Sequence, residues 1–238
     1  MTLTAPRPTQ VAQPLENAVI AVTGTGRGFG HSIARALGLA GAIVMAIDSD
    51  AEAASGTAAE LERLGIQSIP IKGDCSVQLE VSNVFNKILE IYGSITGLVH
   101  VADGVSATPF KRLMESEFSE MLSSNAMSSY LMMQALQKRA PNAWATLILP
   151  PENGQQPQTR ALRSYLSGLV GGLSEMGLRC NALVPSRSAG GLEYDARLGE
   201  SALTLALPAA RGITGQTIGV TLSPLPDIKK SIPREFLE

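Results

Sequence analysis

Three glycines and one aspartate near the amino terminus have the spacing of a nucleotide-binding site. Gly24, Gly28 and Gly30 lie in the segment VTGTGRGFG, between a β-branched apolar run and a stretch with helical periodicity. Glycine lets the backbone approach a ligand closely, and the N–H groups that begin a helix bind phosphate. Asp48 follows roughly 20 residues later, where a carboxylate binds ribose hydroxyls. The alternative is a tight turn followed by an aspartate that caps the next helix.

Apolar runs alternate with helical segments along the chain, which predicts the elements that carry this site. Because strands joined by helices form parallel sheets, we expect an α/β fold, a single-domain Rossmann-like doubly wound sheet of about seven strands with helices on both faces. An irregular segment is expected between the sixth strand and the last helix. The predicted strands are 18–24, 42–48, 68–74, 96–102, 145–150, 178–185 and 217–222, and the predicted helices are 30–41, 51–65, 79–93, 114–138, 160–176 and 199–207.

Composition excludes several other classes of function. The 238 residues carry a net charge of −2, so binding to nucleic acid or to an anionic membrane is not expected. Two cysteines and two histidines without ligand spacing predict neither a disulfide framework nor a metal site. Without an apolar leader or a membrane-length segment, we expect a cytoplasmic protein. One domain is predicted over 17–222, with a flexible arm over 1–16 and a second arm over 223–238.

Several motifs together resemble the short-chain dehydrogenase/reductase family, over about residues 16–220. VTGTGRGFG resembles its TGxxxGxG motif, GDCS (73–76) its adenine-contacting turn, and LRCNALVP (178–185) and ITGQTI (213–218) two segments near its end. The resemblance implies NAD(H) rather than NADP as the cofactor, because Asp48 repels a 2′-phosphate, although Arg27 attracts one. We expect this binding to be weak or lost. The implied cofactor contacts are Gly24, Arg27, Gly28, Phe29, Gly30, Asp48, Asp74, Cys75 and Ala102.

The resemblance also implies where the catalytic residues should be, and there the sequence departs from the family. Active members use an Asn, a Ser and a Tyr followed four residues later by a Lys. Here Asn125 is retained, but Pro151, Thr159 and Arg163 occupy the Ser, Tyr and Lys positions. An aliphatic hydroxyl is far less acidic than a phenol, and arginine stays protonated. No tyrosine of the chain is followed four residues later by lysine.

Two further departures concern the surroundings of the site. Asp103 stands where the family has a glycine beside the cofactor, in the segment HVAD (100–103). The segment between Pro185 and the last predicted helix is shorter than the usual substrate lid. Together with the missing Ser, Tyr and Lys, these departures predict a pseudoenzyme.

Three functions remain compatible with the sequence. The favoured one is a non-catalytic subunit that assembles with an active paralogue in an NAD-dependent alcohol dehydrogenase or ketoreductase complex. The helices near 114–138 and 160–176 carry apolar residues on more than one stripe, which suggests a heterotetramer contact, unless these residues are simply core. The alternatives are an active NAD(P)-dependent oxidoreductase whose displaced acid is Tyr165, and an NAD(H)-binding sensor or scaffold that forms a homomer.

Overall fold

Seven parallel strands form the centre of the protein. The computed structural model describes residues 13–153, 156–186 and 191–221, with only the backbone for 192–194. The strand order is β3-β2-β1-β4-β5-β6-β7, and all neighbouring strands run parallel. The predicted doubly wound sheet is therefore confirmed. The strands are β1 (Val19–Thr23), β2 (Ile43–Asp48), β3 (Ser68–Lys72), β4 (Gly97–Val101), β5 (Trp144–Ile148), β6 (Cys180–Pro185) and β7 (Thr217–Val220).

Helices cover both faces of the sheet. They are α1 (Gly28–Leu39), α2 (Ala51–Arg63), α3 (Gln78–Tyr92), α4 (Glu115–Met121), α5 (Ser128–Arg139), α6 (Pro157–Glu175) and α7 (Leu192–Ala206). One core cluster packs α1, α2 and α7 against the sheet, with Ile33, Leu61 and Leu198 among its members. The other packs α3, α5 and α6 on the opposite face, through side chains such as Phe85 and Leu166. Each fully buried side chain of this size contributes about 1.5–3 kcal/mol.

The strand order reverses between β1 and β4, and this reversal places the functional site. The chain winds outward from β1 through β2 to β3, then returns to β4 on the other side of β1. Crossovers on the two sides leave a crevice at the carboxyl edge of the sheet, where ligands of such folds bind. The glycine-rich turn after β1 lies at this crevice.

The long helix predicted over 114–138 is interrupted in the structure. Between α4 and α5 lies a π-helical turn, Leu122–Met127, which contains Asn125. The Asn125 amide donates a hydrogen bond to Met121 O at 2.7 Å, and the Ser128 hydroxyl donates one to Ser124 O at 2.7 Å. Side chains that bond helix carbonyls in this way compete with the regular backbone ladder and bend helices. The apolar periodicity of the sequence does not reveal this competition.

Two other predicted boundaries also differ from the structure. The last helix begins at Leu192, within the segment predicted to be irregular, and Gly199 allows it to pack closely on α1: a Cβ there would lie 3.0 Å from Ser32 O. Leu15 is buried, and its N–H donates to Ala40 O at 2.9 Å, so this residue at the end of the predicted arm packs against the domain. The rest of the two predicted arms lies outside the described residues. Within the described ranges, no helix is both long and apolar enough to cross a membrane.

Candidate active site

The glycine-rich turn connects β1 to α1 and is shaped for close approach of a ligand. Gly24 and Gly28 have φ values of 65° and 62°, a left-handed conformation that other residues rarely adopt. Gly30 lies against the end of β1, where a Cβ atom would be 2.1 Å from Gly24 O. Helix α1 has no side-chain cap and no acidic residue in its first turn. The positive dipole end of α1 therefore lies next to the glycine-rich turn at the crevice.

Asp48 ends β2 beside this turn, as predicted. Its Oδ2 accepts a hydrogen bond from the Gly26 N–H at 2.9 Å, and its Oδ1 accepts one from the Asp50 N–H at 3.1 Å. Both bonds hold the carboxylate at the edge of the crevice. Each oxygen keeps a second lone pair, so the group can still accept a bond from a ribose hydroxyl.

The turn after β3 contains the next two predicted contacts. Asp74 Oδ1 accepts hydrogen bonds from the Ser76 N–H and hydroxyl at 2.8 and 2.7 Å, which fixes the turn. Burial, with smaller contributions from Asp74, Asp48 and Glu80, raises the pKa of the Cys75 thiol to about 12. A thiol of this kind stays protonated and serves as a wall rather than a nucleophile.

These segments enclose a cavity of about 170 Å³ at the crevice, and four of the predicted cofactor residues line it: Gly24, Asp48, Asp74 and Cys75. Phe29 and Ala102 have buried side chains instead, in the core beneath the turn and after β4. Arg27 is exposed on the turn itself. The sequence missed the other lining groups, which include His100, Ser124 and Ser128.

His100 forms the floor of this cavity and connects three segments by hydrogen bonds. Its Nδ1 lies 2.9 Å from Thr23 Oγ1, and its Nε2 lies 3.0 Å from Ser128 Oγ. The Ser128 hydroxyl donates its hydrogen to Ser124 O, so Nε2 must donate to Ser128 and Nδ1 must accept from Thr23. Burial lowers the pKa of His100 to about 4, which agrees with this neutral form. Thr23 Oγ1 also accepts from the Val101 N–H at 3.0 Å.

Asn125, the one retained catalytic position, is fully buried and bonded to the backbone after β4. Its Oδ1 accepts from the Gly104 N–H at 2.9 Å, and its Nδ2 donates to Gly104 O at 3.1 Å and to Met121 O. The amide therefore positions the strand-end segment that begins with Asp103. Neither the π-helical turn nor this bonding could be inferred from the residue type.

Two of the three substituted catalytic positions are joined by a hydrogen bond beyond the end of β5. Arg163 Nη1 donates to Pro151 O at 2.5 Å and to Pro150 O at 3.3 Å, so α6 is tied to the end of β5. Thr159 is buried, and its hydroxyl has no hydrogen-bond partner within the described ranges. The structure thus brings Pro151 and Arg163 together.

The family of this chain follows from its sequence match to a known protein family. The model of the short chain dehydrogenase family matches residues 18–145. The chain belongs to this family. Its members are oxidoreductases, and membership supports the binding of a nicotinamide cofactor.

Individual short-chain dehydrogenases are similar to this chain in sequence. The chain is 39% identical over 87 residues to the tetrahydroxynaphthalene reductase PfmaG of Pestalotiopsis fici, covering 36% of this chain and 31% of that one. It is 27% identical to the 7alpha-hydroxysteroid dehydrogenase of Escherichia coli, covering 84% and 91%. It spans only 60% of a further short-chain dehydrogenase/reductase from Pestalotiopsis microspora, at 24% identity.

Solved structures of short-chain dehydrogenases share the fold. A hydroxysteroid dehydrogenase from Escherichia coli superposes with a TM-score of 0.80 at 22% identity, covering 90% of this chain and 100% of that one. A 3-ketoacyl-(acyl-carrier-protein) reductase from Brucella melitensis, complexed with NADH, gives a TM-score of 0.76 at 20% identity, covering 87% and 97%.

These relatives overturn the functional prediction made from the sequence. They are named as dehydrogenases and reductases, and nothing in the structure or the comparisons supports an inactive subunit, a sensor or a heteromeric complex. The prediction of a pseudoenzyme was therefore wrong. It assumed that only the usual Ser, Tyr and Lys can move the substrate proton, whereas a crevice can hold other titratable groups. Pairing through the helices near 114–138 and 160–176 stays a prediction.

The structure does not place Tyr165 where a short-chain dehydrogenase needs its acid. Tyr165 follows Thr159 by six residues, about 240° around the helix axis. Its side chain is 48% exposed, whereas Thr159 and Leu166 are buried against the sheet. The phenol lies on the outer surface of α6. Tyr165 is therefore not placed to act as the displaced acid that the sequence suggested.

Asp103 is the titratable side chain that replaces the family glycine after β4, next to Gly104. Burial raises the pKa of its carboxyl group; a backbone hydrogen bond and the charge of Arg27 lower it, and Asp195 raises it further. Arg27 and Asp195 therefore both lie close enough to act on Asp103. The sequence indicated the substitution, but only the fold shows that the carboxyl is half-buried.

Proposed function

We propose that this protein is an NAD(H)-dependent oxidoreductase that interconverts a secondary alcohol and a ketone. One observation carries the proposal: the glycine-rich turn that leads into α1, the Asp48 carboxylate and the turn at Asp74 line one crevice at the strand reversal. This is the arrangement that dinucleotides require.

The residues present fit the adenosine and pyrophosphate parts of the cofactor. At Gly30 a Cβ would meet the backbone, and the first-turn N–H groups of α1 would hold the pyrophosphate. Asp48 would accept the ribose hydroxyls, and the cavity lined by Asp74 and Cys75 would hold the adenine. The bound nicotinamide supplies or accepts the hydride, and the protein must position it and move one proton.

The carboxylate of Asp48 favours NAD(H) over NADP(H), because a 2′-phosphate beside it would be repelled. We expect Asp48→Asn to weaken NADH binding by about tenfold and to reduce the preference over NADPH. Both cofactors would be titrated by fluorescence.

Asp50→Asn is the matched control for this change. Asp50 is exposed and caps α2 by accepting hydrogen bonds from Glu52 and Ala53, a role that asparagine fills equally well. The Asp50→Asn protein should bind NADH and NADPH with the same affinities as the unchanged protein. An Asp48→Asn protein with unchanged NADH affinity would contradict the proposed site.

Asp103 is proposed as the proton donor in ketone reduction. Its raised pKa keeps more of the carboxyl protonated near neutral pH, and the proton would pass to the substrate oxygen as hydride reaches the carbon. Asp103→Asn should lower kcat about a hundredfold while NADH affinity stays within about threefold. Reduction by the unchanged protein should slow as pH rises through the pKa of Asp103, and the variant should lose this pH dependence.

Glu120→Gln provides the control for Asp103. Glu120 is an exposed carboxylate that lines a neighbouring cavity together with Gly104, so its neutralisation changes the local charge without touching the proposed donor. The Glu120→Gln protein should have the kcat and the pH profile of the unchanged protein. Equal losses in both variants would rule out a specific role for Asp103.

The relatives suggest the first substrates to assay. They are named for hydroxysteroids and tetrahydroxynaphthalene, so we propose cyclic, multi-ring alcohols and ketones. Turnover would be followed by NADH absorbance across a panel of such compounds. Saturable NADH binding without cofactor oxidation by any of them would overturn the proposed reaction.

A further inference from the structure

A second cavity lies at the opposite edge of the sheet from the crevice. It has a volume of about 630 Å³ and opens beside the amino ends of β1, β4, β5 and β6. Strands of five residues span about 17 Å, so this cavity is separated from the cofactor crevice by the length of the sheet. We call it the basic cavity, after Arg179 and Arg211, which line it together with Trp144, Thr96, Asn142 and Glu16.

Trp144 and Arg179 form a rigid wall of the basic cavity. Trp144 begins β5 and pairs with Gly97, where a Cβ would lie 2.2 Å from the indole Cε2, so the ring lies flat across the neighbouring strand. The Arg179 guanidinium is 5.7 Å from the centre of this ring. A guanidinium stacked on an aromatic face keeps the edge that carries its N–H groups available for hydrogen bonds.

Arg179 is partly buried and Arg211 is exposed, and among the described residues neither forms an ion pair with an acidic side chain. Arg179 Nη1 is buried and has no hydrogen-bond partner within the described ranges. Burial, and then the charge of Arg211, lowers the pKa of Arg179. Glu16 also lines the cavity, but within the described ranges it forms no ion pair with Arg179 or Arg211. Two positively charged guanidinium groups thus face the same cavity. One nitrogen of Arg179 is shielded from solvent and has no acceptor in the described part of the chain.

We propose that the basic cavity binds a free oxyanion, a carboxylate or phosphate group, between Arg179 and Arg211. Such an anion accepts hydrogen bonds from the solvent-accessible N–H groups of the two guanidinium groups and cancels the repulsion between them. The planar fork of a guanidinium matches both carboxylate and phosphate. Because the site is remote from the crevice, its ligand takes no part in hydride transfer, and the proposal stands independently of the oxidoreductase function.

Trp144 provides a direct readout, since it is the only tryptophan of the chain. Inorganic phosphate and citrate would be titrated into the full-length protein at constant ionic strength, with chloride as the reference salt. We expect a saturable change in tryptophan emission with both anions and none with chloride.

Charge-neutralising variants assign this signal to the site. Arg211 is exposed, so Arg211→Gln should fold normally, and we expect it to weaken anion binding by at least about tenfold. Arg179→Gln should do the same. Arg63→Gln is the matched control, because Arg63 lies on α2 and donates to Ala59 O of its own helix. Glu16→Gln should tighten anion binding, because it removes a negative charge from the rim of the cavity.

Three outcomes would overturn the proposal. The first is the absence of a saturable signal with either anion. The second is an unchanged titration in Arg211→Gln. The third concerns Asp227, Glu235 and Glu238, which lie outside the described residues: if their joint replacement by Asn, Gln and Gln tightened phosphate binding about tenfold, the chain itself would supply the anion.

Discussion

Replacing Gly30 with alanine should destabilise the protein by about 3 kcal/mol, because the new Cβ would overlap with backbone atoms that have no alternative position. It would lie 2.1 Å from Gly24 O, 2.6 Å from Gly24 C and 2.8 Å from Thr23 O. To relieve the overlap, α1 must move away from the end of β1, which displaces the N–H groups proposed to hold the pyrophosphate. NADH affinity should therefore fall by at least about tenfold. Urea unfolding and an NADH titration measure the two effects.

Gly56→Ala is the matched control for the Gly30 change. Gly56 lies within α2, is exposed, and has no atom within 4 Å of the position of a Cβ. In a helix interior, alanine is more favourable than glycine by about 1 kcal/mol, so this variant should be slightly more stable and bind NADH normally. If Gly30→Ala also kept full stability and affinity, the close approach of α1 to β1 would not be what shapes the site.

His100 should make the protein sensitive to acid. Its pKa is about 4 in the folded protein and 6.5 for an unperturbed histidine, so the unfolded chain binds a proton more readily. The associated stability is complete above the unfolded pKa and is lost as pH falls towards the folded pKa. Between about pH 7.5 and pH 5, this one group should account for a loss of about 2 kcal/mol. The free energy of unfolding would be measured by urea denaturation at both pH values.

The change in the free energy of unfolding between the two pH values can be assigned to His100 by comparing variants. His100→Asn cannot bind the proton, so its pH-dependent loss of stability should be smaller by about 2 kcal/mol, even though removing the bonds to Thr23 and Ser128 lowers its overall stability. His31→Gln, which changes the only other histidine, should retain most of the loss. An equal pH dependence in His100→Asn and the unchanged protein would show that His100 is not the group responsible.

Much of the fold and part of the site follow from local sequence signals. The strand predictions at 18–24, 42–48 and 96–102 agree with β1, β2 and β4 to within a residue or two, because each buried strand is a short apolar run between glycines and polar residues. The same signals locate the turn at Gly24 and the carboxylate of Asp48, since each stands at the end of a predicted strand. Residue types alone gave the wrong function, because the absence of a usual acid does not show the absence of every acid.

The sequence by itself determined the order of the elements, the doubly wound sheet and the start of the crevice, because these depend on residues near one another in the chain. Only the tertiary structure decided which distant groups meet. His100 reaches Thr23 across 77 positions of the chain, and Asn125 holds Gly104 across 21. Arg179 lies over Trp144 and is repelled by Arg211, at the amino edge of the sheet. Contacts of this kind arise from strand order and packing, whereas sequence periodicity records only which face of an element is buried.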